Sequence, residues 1–372
     1  MMHSSGSLPR RGEHQDVWWL EERWRRPSGG GLRAFYGIKH VVPRRMQLAA
    51  RRRLTPRQRS RAFPAWPYEH SLLRERADAL TAALRARDVD RLPVVAPWPY
   101  GHRFAYVLTH DVEGTEGLRR IPDLLEVERR HGISSSFNFC GAWYPVRDED
   151  LQIVRDAGCE VGVHGMEHDG RLFASRRAFE RQLPRIRAQM ERWGAVGFRS
   201  PAMHRWGPWM HELPVGYDSS FPHSDPFQPQ PGGCCDVHPF FFGDVVELPV
   251  TLDQDFTLFE LLREPTIRLW TDKSRWVIRH HGLVNVIVHP DYMTPARLQH
   301  YEQLLAFLTS QPGGWHALPR DVASWWRARH SLRMKEAGDG TPVLKGPVTE
   351  GAVVAWASVT DGIIEYDDFV PA

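Results

Sequence analysis

Short apolar runs alternate with stretches of helical periodicity over most of the chain. HSLLRERADALTAALRAR (70–87) carries apolar residues at helical spacing and predicts a helix. A proline-rich link, LPVVAPWPYGH, separates it from FAYVLTHDVEG (104–114), an apolar run ending in polar groups. PDLLEVERRHGI then predicts a helix stopped at Gly132, and SSSFNFCG a strand. DEDLQIVRDAGCEVGVHG predicts a helix, a glycine stop and another strand. FASRRAFERQLPRIRAQMERWG predicts a long helix in which Pro184 is a kink or break, and VGFRSPA a further strand. VVELPV, the helix-like SRWVIRHHG, the run LVNVIVHPDY and the helix TPARLQHYEQLLAFLTSQ continue the alternation.

Apolar runs joined by helices predict parallel strands with crossover connections. The six or seven β/α units read here are too many for a small open sheet and point to a barrel. Beyond residue 330 the pattern turns strand-like, and GAVVAWASVTDGIIEYDD predicts a terminal β-hairpin. The domain organisation read this way is an N-terminal extension (1–100), partly disordered and helical, a barrel (101–330) and a C-terminal β-hairpin extension (331–372).

The first 32 residues are polar and glycine-rich near their end, with Trp18, Trp19, Leu20 and Trp24 as candidate docking residues. Residues 33–61 hold nine arginines, one lysine and no acid, and RRMQLAARRRL within them predicts a short helix. The favoured reading is a solvated basic face packed on the domain by its few apolar residues. The alternative is a contact with anionic lipid head groups or phosphates.

Composition narrows the class. The chain has 372 residues, 42% of them hydrophobic, enough for a substantial core, and its net charge of +3 selects no partner by itself. Nucleic-acid binding would rest on the arginine stretch alone and is not expected. Cys140, Cys159, Cys234 and Cys235 form no Cys-x-x-Cys pair and read as reduced thiols. The segment MMHSSGSLPRRGEHQD lacks the apolar core of a signal peptide, and no apolar run approaches the roughly 18 residues of a membrane span. The expectation is a soluble cytoplasmic protein, with the basic stretch a candidate for peripheral contact with the inner membrane face.

The chemistry sits where the apolar runs end. LTHDVEG contributes His110, Asp111 and Glu113, VGVHGMEH contributes His164 and His168, GFRSP contributes Arg199, and NVIVHPDY contributes His289 and Asp291. In a parallel barrel all of these fall on one rim. Histidines four apart share one face of a helical turn and can grip one ion. A carboxylate completes three ligands, a second carboxylate can take a proton from water, and a further histidine can protonate a leaving group. Asp111 and Glu113, two apart, point the same way from an extended backbone.

These motifs resemble those of the polysaccharide deacetylase superfamily, whose catalytic region is the NodB homology domain (carbohydrate esterase family 4-like). The resemblance covers about residues 104–292. It rests on LTHDVEG, HGMEH, RSP and IVH, standing where the family has an acidic pair, His-x-x-x-His, Arg-x-Pro and a late strand ending in histidine. It implies a distorted (β/α)7 barrel and a metal-dependent hydrolase that removes N-acetyl groups from sugars. It also implies that Asp111 is the general base, paired with Arg199. Glu113, His164 and His168 would be the metal ligands and His289 the general acid. The family pattern usually has two adjacent aspartates, but here Val112 stands between the two acids, so Asp111 and Glu113 can exchange roles.

Each of these residues has a plainer reading: a surface pair for His164 and His168, a helix cap for Asp111, a surface ion pair for Arg199, a core position for His289. His110 reads as structural, Asp218 as a loop residue near the site, and Trp206, Trp209 and Phe221 as packing rather than sugar-stacking aromatics. The function expected is hydrolysis of a linear amide C–N bond, releasing acetate from an N-acetylated glycan or sugar precursor, with a divalent metal, zinc by default. Alternatives are a deformylase or small cyclic amide hydrolase on the same fold, or a carbohydrate-binding relative without catalysis.

Overall fold

The computed structural model describes residues 42–371 except 62, 348 and 349. The N-terminal tryptophans and the first nine residues of the basic stretch lie outside the described residues. The central strand, β2 (Phe104–Val112), is buried along its whole length, which is why it opens with the apolar run Phe104–Leu108. Strands β3 (Ser136–Phe139), β4 (Glu160–Val163), β5 (Gly197–Phe198), β6 (Tyr217–Asp218) and β8 (Val245–Glu247) follow it in parallel order, with β7 (Phe240–Phe242) antiparallel to β8. On its other side β2 pairs in parallel with β9 (Leu283–Val288), while β10 (Gly314–His316) pairs with its first residues on the β3 side. Thr251 N and Leu252 N donate to Asn285 O at 3.1 and 2.9 Å, so the chain beyond β8 meets β9 and the sheet curls into a barrel.

The crossover helices are α3 (Thr115–Arg130), α4 (Asp148–Asp156), α5 (Arg176–Trp193), α6 (Arg268–Arg279), α7 (Pro295–Thr309) and α8 (Pro319–Ser331). Each turns an apolar stripe onto the sheet; in α3 this is Ile121, Leu124 and Val127. Helix α5 begins at Ser175, whose side chain accepts from Ala178 N, and ends at Gly194 in the left-handed region. The break expected at Pro184 does not occur. The proline sits on the exposed face, where water can serve the carbonyl that its missing N–H leaves free.

The two extensions meet each other. Strand β1 (Leu92–Val95) pairs antiparallel with β13 (Val353–Thr360), which forms a hairpin with β14 (Ile363–Pro371). Helix α2 (Ser71–Arg87) packs Leu80 and Leu84 onto this sheet against Val94, Val353, Ala355 and Ala357. Between barrel and hairpin, β11 (Arg333–Glu336) and β12 (Pro342–Lys345) form a small ladder.

The basic helix, α1 (Arg44–Arg59), docks differently from expectation. Met46 and Leu54 are 59% and 53% exposed, so apolar packing does not hold it. Its arginines do. Arg52 Nε donates to Glu260 O at 2.8 Å and Arg51 Nη2 to Phe227 O at 3.0 Å. Arg51 also lies over the Phe256 ring, and Arg44 over the Tyr292 ring. Guanidinium planes bond and stack at once, so a helix this polar can still seat on a barrel. No helix among the described residues is long and apolar enough to cross a membrane.

Leu80 is fully buried between α2 and the three-stranded sheet. Leu80→Ala is expected to cost about 2–5 kcal/mol, read by denaturant unfolding, because the cavity cannot collapse beneath a strand.

Candidate metal and catalytic site

Each site residue sits at or just past the C-terminal end of a parallel strand, where register fixes its height. Asp111 lies opposite Asn138 and Asn138 opposite Gly162, while Val163 pairs with Phe198 immediately before Arg199. His164 continues β4 by donating its N–H to Phe139 O at 2.7 Å.

Glu113, His164 and His168 each present one donor atom, and the three atoms lie within 4.8 Å of one another. His168 Nε2 stands 2.9 Å from Glu113 Oε1, and the two imidazole rings are 5.3 Å apart. The histidines do not share a helical turn, as their spacing suggested. Gly165 takes φ +65 directly after His164 and ends the extended backbone, and residues 166–168 loop back to bring His168 alongside.

His164 Nδ1 lies 3.1 Å from Arg199 O, which accepts its proton, so Nε2 carries the lone pair. That Nε2 is buried and has no hydrogen-bond partner among the described residues. Burial lowers the His164 pKa to about 4, so the ring is neutral at physiological pH and suited to bind a metal. An orphaned imidazole nitrogen beside a second imidazole and a carboxylate is a donor set that fits a divalent ion.

Two pairs of residues flank this set. Arg199 Nε lies 3.7 Å from Asp111 Oδ1, and its Nη2 donates to Thr109 Oγ1 and Ser219 Oγ at 3.0 Å each. Asn138 Nδ2 donates to Asp111 Oδ1 at 3.0 Å. Burial pushes the Asp111 carboxyl up, but Arg199, then His164 and His289, and the Asn138 amide together hold it below the usual carboxylate range. On the other side His289 Nδ1 donates to Asp255 Oδ1 at 2.6 Å, and His289 N donates to Asp255 Oδ2 at 2.9 Å. Burial pulls the imidazole down, but Asp255 first, then Glu113 and Asp111, raise its pKa to about 10. The rim therefore holds an ionised carboxylate and a protonated imidazole, poised in opposite senses.

The structure thus brings together Asp111, Glu113, His164, His168, Arg199 and His289. It leaves out His110, which bonds Glu128 at 2.7 Å in a fully buried network below the rim. Phe221 is in the core, and Trp209 packs its ring on Phe179. Asp218 is not a loop residue: it ends β6, fully buried, with its carboxylate accepting from Ser220. Sequence reasoning missed Asn138, Ser219 and Asp255. Asn138 carried a usable signal, a polar residue between two buried phenylalanines; Asp255 carried none, because it caps a short π-helix (Phe256–Leu261) and ends no strand.

No family model and no curated protein matches this chain. Solved structures do. A protein of Mycobacterium smegmatis assigned as a polysaccharide deacetylase aligns over 63% of this chain and 94% of its own, at 20% identity and a TM-score of 0.52. PuuE allantoinase aligns over 63% and 93%, at 14% identity and 0.49. A protein of Pseudomonas aeruginosa PAO1 assigned as a polysaccharide deacetylase aligns over 63% and 95%, at 17% identity and 0.49. The first of these shows a shared fold: the chain has the distorted barrel of polysaccharide deacetylases.

Asp255→Asn is expected to lower the His289 pKa from about 10 to near or below the ordinary imidazole value of about 6.5, because burial then goes unopposed by its nearest carboxylate. NMR titration of the imidazole protons in metal-free protein reads this directly. An unchanged titration would remove Asp255 as the controlling group.

Proposed function

We propose that the protein is a metal-dependent hydrolase that removes an N-acetyl group from a sugar of a glycan or glycan precursor. The observation that carries this reading is the placement of two oppositely poised groups, Asp111 below its usual pKa and His289 above its own, on either side of a three-donor set. Amide hydrolysis needs that combination: a base for water and an acid for the departing nitrogen.

In this reading Glu113, His164 and His168 hold one divalent ion, with zinc the natural choice for two imidazoles and a carboxylate. When bound, such an ion supplies Lewis acidity, acidifying water and polarising a carbonyl oxygen. Asp111 accepts the proton of the attacking water, its carboxylate fixed by Arg199 and Asn138. His289 gives a proton to the departing amine nitrogen, and Asp255 keeps it in the imidazolium form that can do so. The partners support this division of roles: Asp111 faces a guanidinium, whereas Glu113 faces imidazoles.

The substrate is read as an intracellular precursor, a reading compatible with four buried cysteines. Helix α1 is read as a docked strap rather than a lipid-binding face. Four of its arginines, Arg44, Arg51, Arg52 and Arg59, are engaged by rings, carbonyls or carboxylates of the residues they pack on.

Purified protein incubated with a panel of N-acetylated sugars and sugar precursors is expected to release acetate and a free amine. Asp111→Asn should lower kcat by about 10²–10⁴-fold while leaving bound metal, measured by elemental analysis, unchanged. Formate released from N-formyl substrates in place of acetate would move the reading to a deformylase. Glycan binding with no product from any substrate would move it to a non-catalytic binding protein.

A further inference from the structure

We infer that Asp291 and Tyr292 form a clamp that presents Glu113 as a one-oxygen metal ligand, which makes both of them positioning residues of the site; the inference rests on the metal reading proposed above. The turn Pro290–Tyr292 follows His289 directly and packs against the start of α3. Asp291 Oδ2 accepts Glu113 N–H at 2.7 Å, and Asp291 Oδ1 accepts Gly117 N–H at 3.2 Å. Gly117 is buried, and a Cβ there would lie 2.3 Å from Asp291 Oδ2, so the carboxylate occupies space that only glycine leaves. The first turn of a helix carries unpaired N–H groups and positive dipole, which suits an anion at this point.

The side chain of Glu113 is held by the next residue of the same turn. Tyr292 Oη donates to Glu113 Oε2 at 3.0 Å, while Oε1 faces His168 Nε2 at 2.9 Å and His289 Nε2 at 3.7 Å. Backbone and one carboxylate oxygen are therefore tethered by neighbours 291 and 292, and the remaining oxygen is turned to the imidazoles. Tyr292 is itself pinned. Its ring packs against His289 and Phe256 at 5.2 and 5.6 Å between centroids, and Arg44 lies over it at 4.7 Å. Glutamate has one more rotatable bond than aspartate, and a ligand that must be ordered on binding binds less tightly. The clamp removes that freedom before metal arrives. Partners that orient a metal ligand typically change affinity by about 10–100-fold.

The test uses the full chain. Zinc affinity is measured by competition with a chromophoric chelator, the visible spectrum of the cobalt(II) form is recorded, and the melting temperature of metal-free protein is followed. Tyr292→Phe removes one oxygen atom. It is expected to weaken zinc about tenfold or more and to alter the cobalt spectrum, with the metal-free melting temperature unchanged. Asp291→Ala should weaken zinc at least as much, and Asp291→Asn should recover part of the loss, because its amide oxygen can still accept Glu113 N–H. His168→Ala serves as the control that removes a ligand. If Tyr292→Phe and Asp291→Ala bind zinc as the wild type does while His168→Ala does not, the clamp is overturned and the metal site stands. If the wild type binds zinc no better than His168→Ala, the metal reading itself fails, and the clamp with it.

Discussion

Strand β2 is hydrogen-bonded along both edges, to β9 on one side and to β10 and then β3 on the other. The rest of the rim is set by that double ladder. A strand so held cannot slip by one residue without turning its whole set of side chains to the wrong face. Asp111 is therefore level with Asn138, and His110 level with Phe137 and Val288. His289 comes one residue past the end of β9, after the pairing of Val288 with His110. Residues far apart in the chain reach one site because parallel strands end together, and no loop has to carry them there.

The rim buries more charge than a core tolerates unless each charge is answered. Asp111, Arg199, Asp255 and His289 are all almost fully buried. Arg199 faces Asp111, and Asp255 faces His289, so each pair neutralises itself. Because the two pairs have opposite polarity across the donor set, Asp111 stays ionised and His289 stays protonated in one small volume. His164 is different: with its Nδ1 proton committed to a carbonyl, burial keeps it neutral and leaves Nε2 without a partner. An isolated buried acceptor is costly in a protein that never binds anything there.

Much of this could be read from the chain before any coordinates. Buried parallel strands read as continuous apolar runs, so a polar residue at the end of each run announces the rim, and His164, Arg199 and His289 were found that way. What could not be read had no local cause. Asp255 caps a short π-helix, and only the return of β9 makes it a neighbour of His289. The pairing of β1 with β13 joins opposite ends of the sequence, and antiparallel ladders leave no trace in either segment alone. Helix α1 misled in another way: its apolar residues were the natural candidates for docking, yet the stacking and hydrogen bonding of Arg44, Arg51 and Arg52 hold it.

The separation of the two acids by Val112 follows from the same ladder. Val112 is still in register with Phe139, so the backbone remains extended there and its side chain turns away from the rim into the core. An acid at 112 would be buried among apolar residues with no partner, at a cost of several kcal/mol. The next residue that faces the same way as Asp111 is 113, just past the strand, and there the chain has a glutamate. The strand stays extended through Val112, the second carboxylate stands at 113, and the turn at Pro290–Tyr292 meets it there with the bonds of Asp291 and Tyr292. Asp-Val-Glu is thus a spacing that an extended strand end accommodates, with both acids on the same side of the backbone.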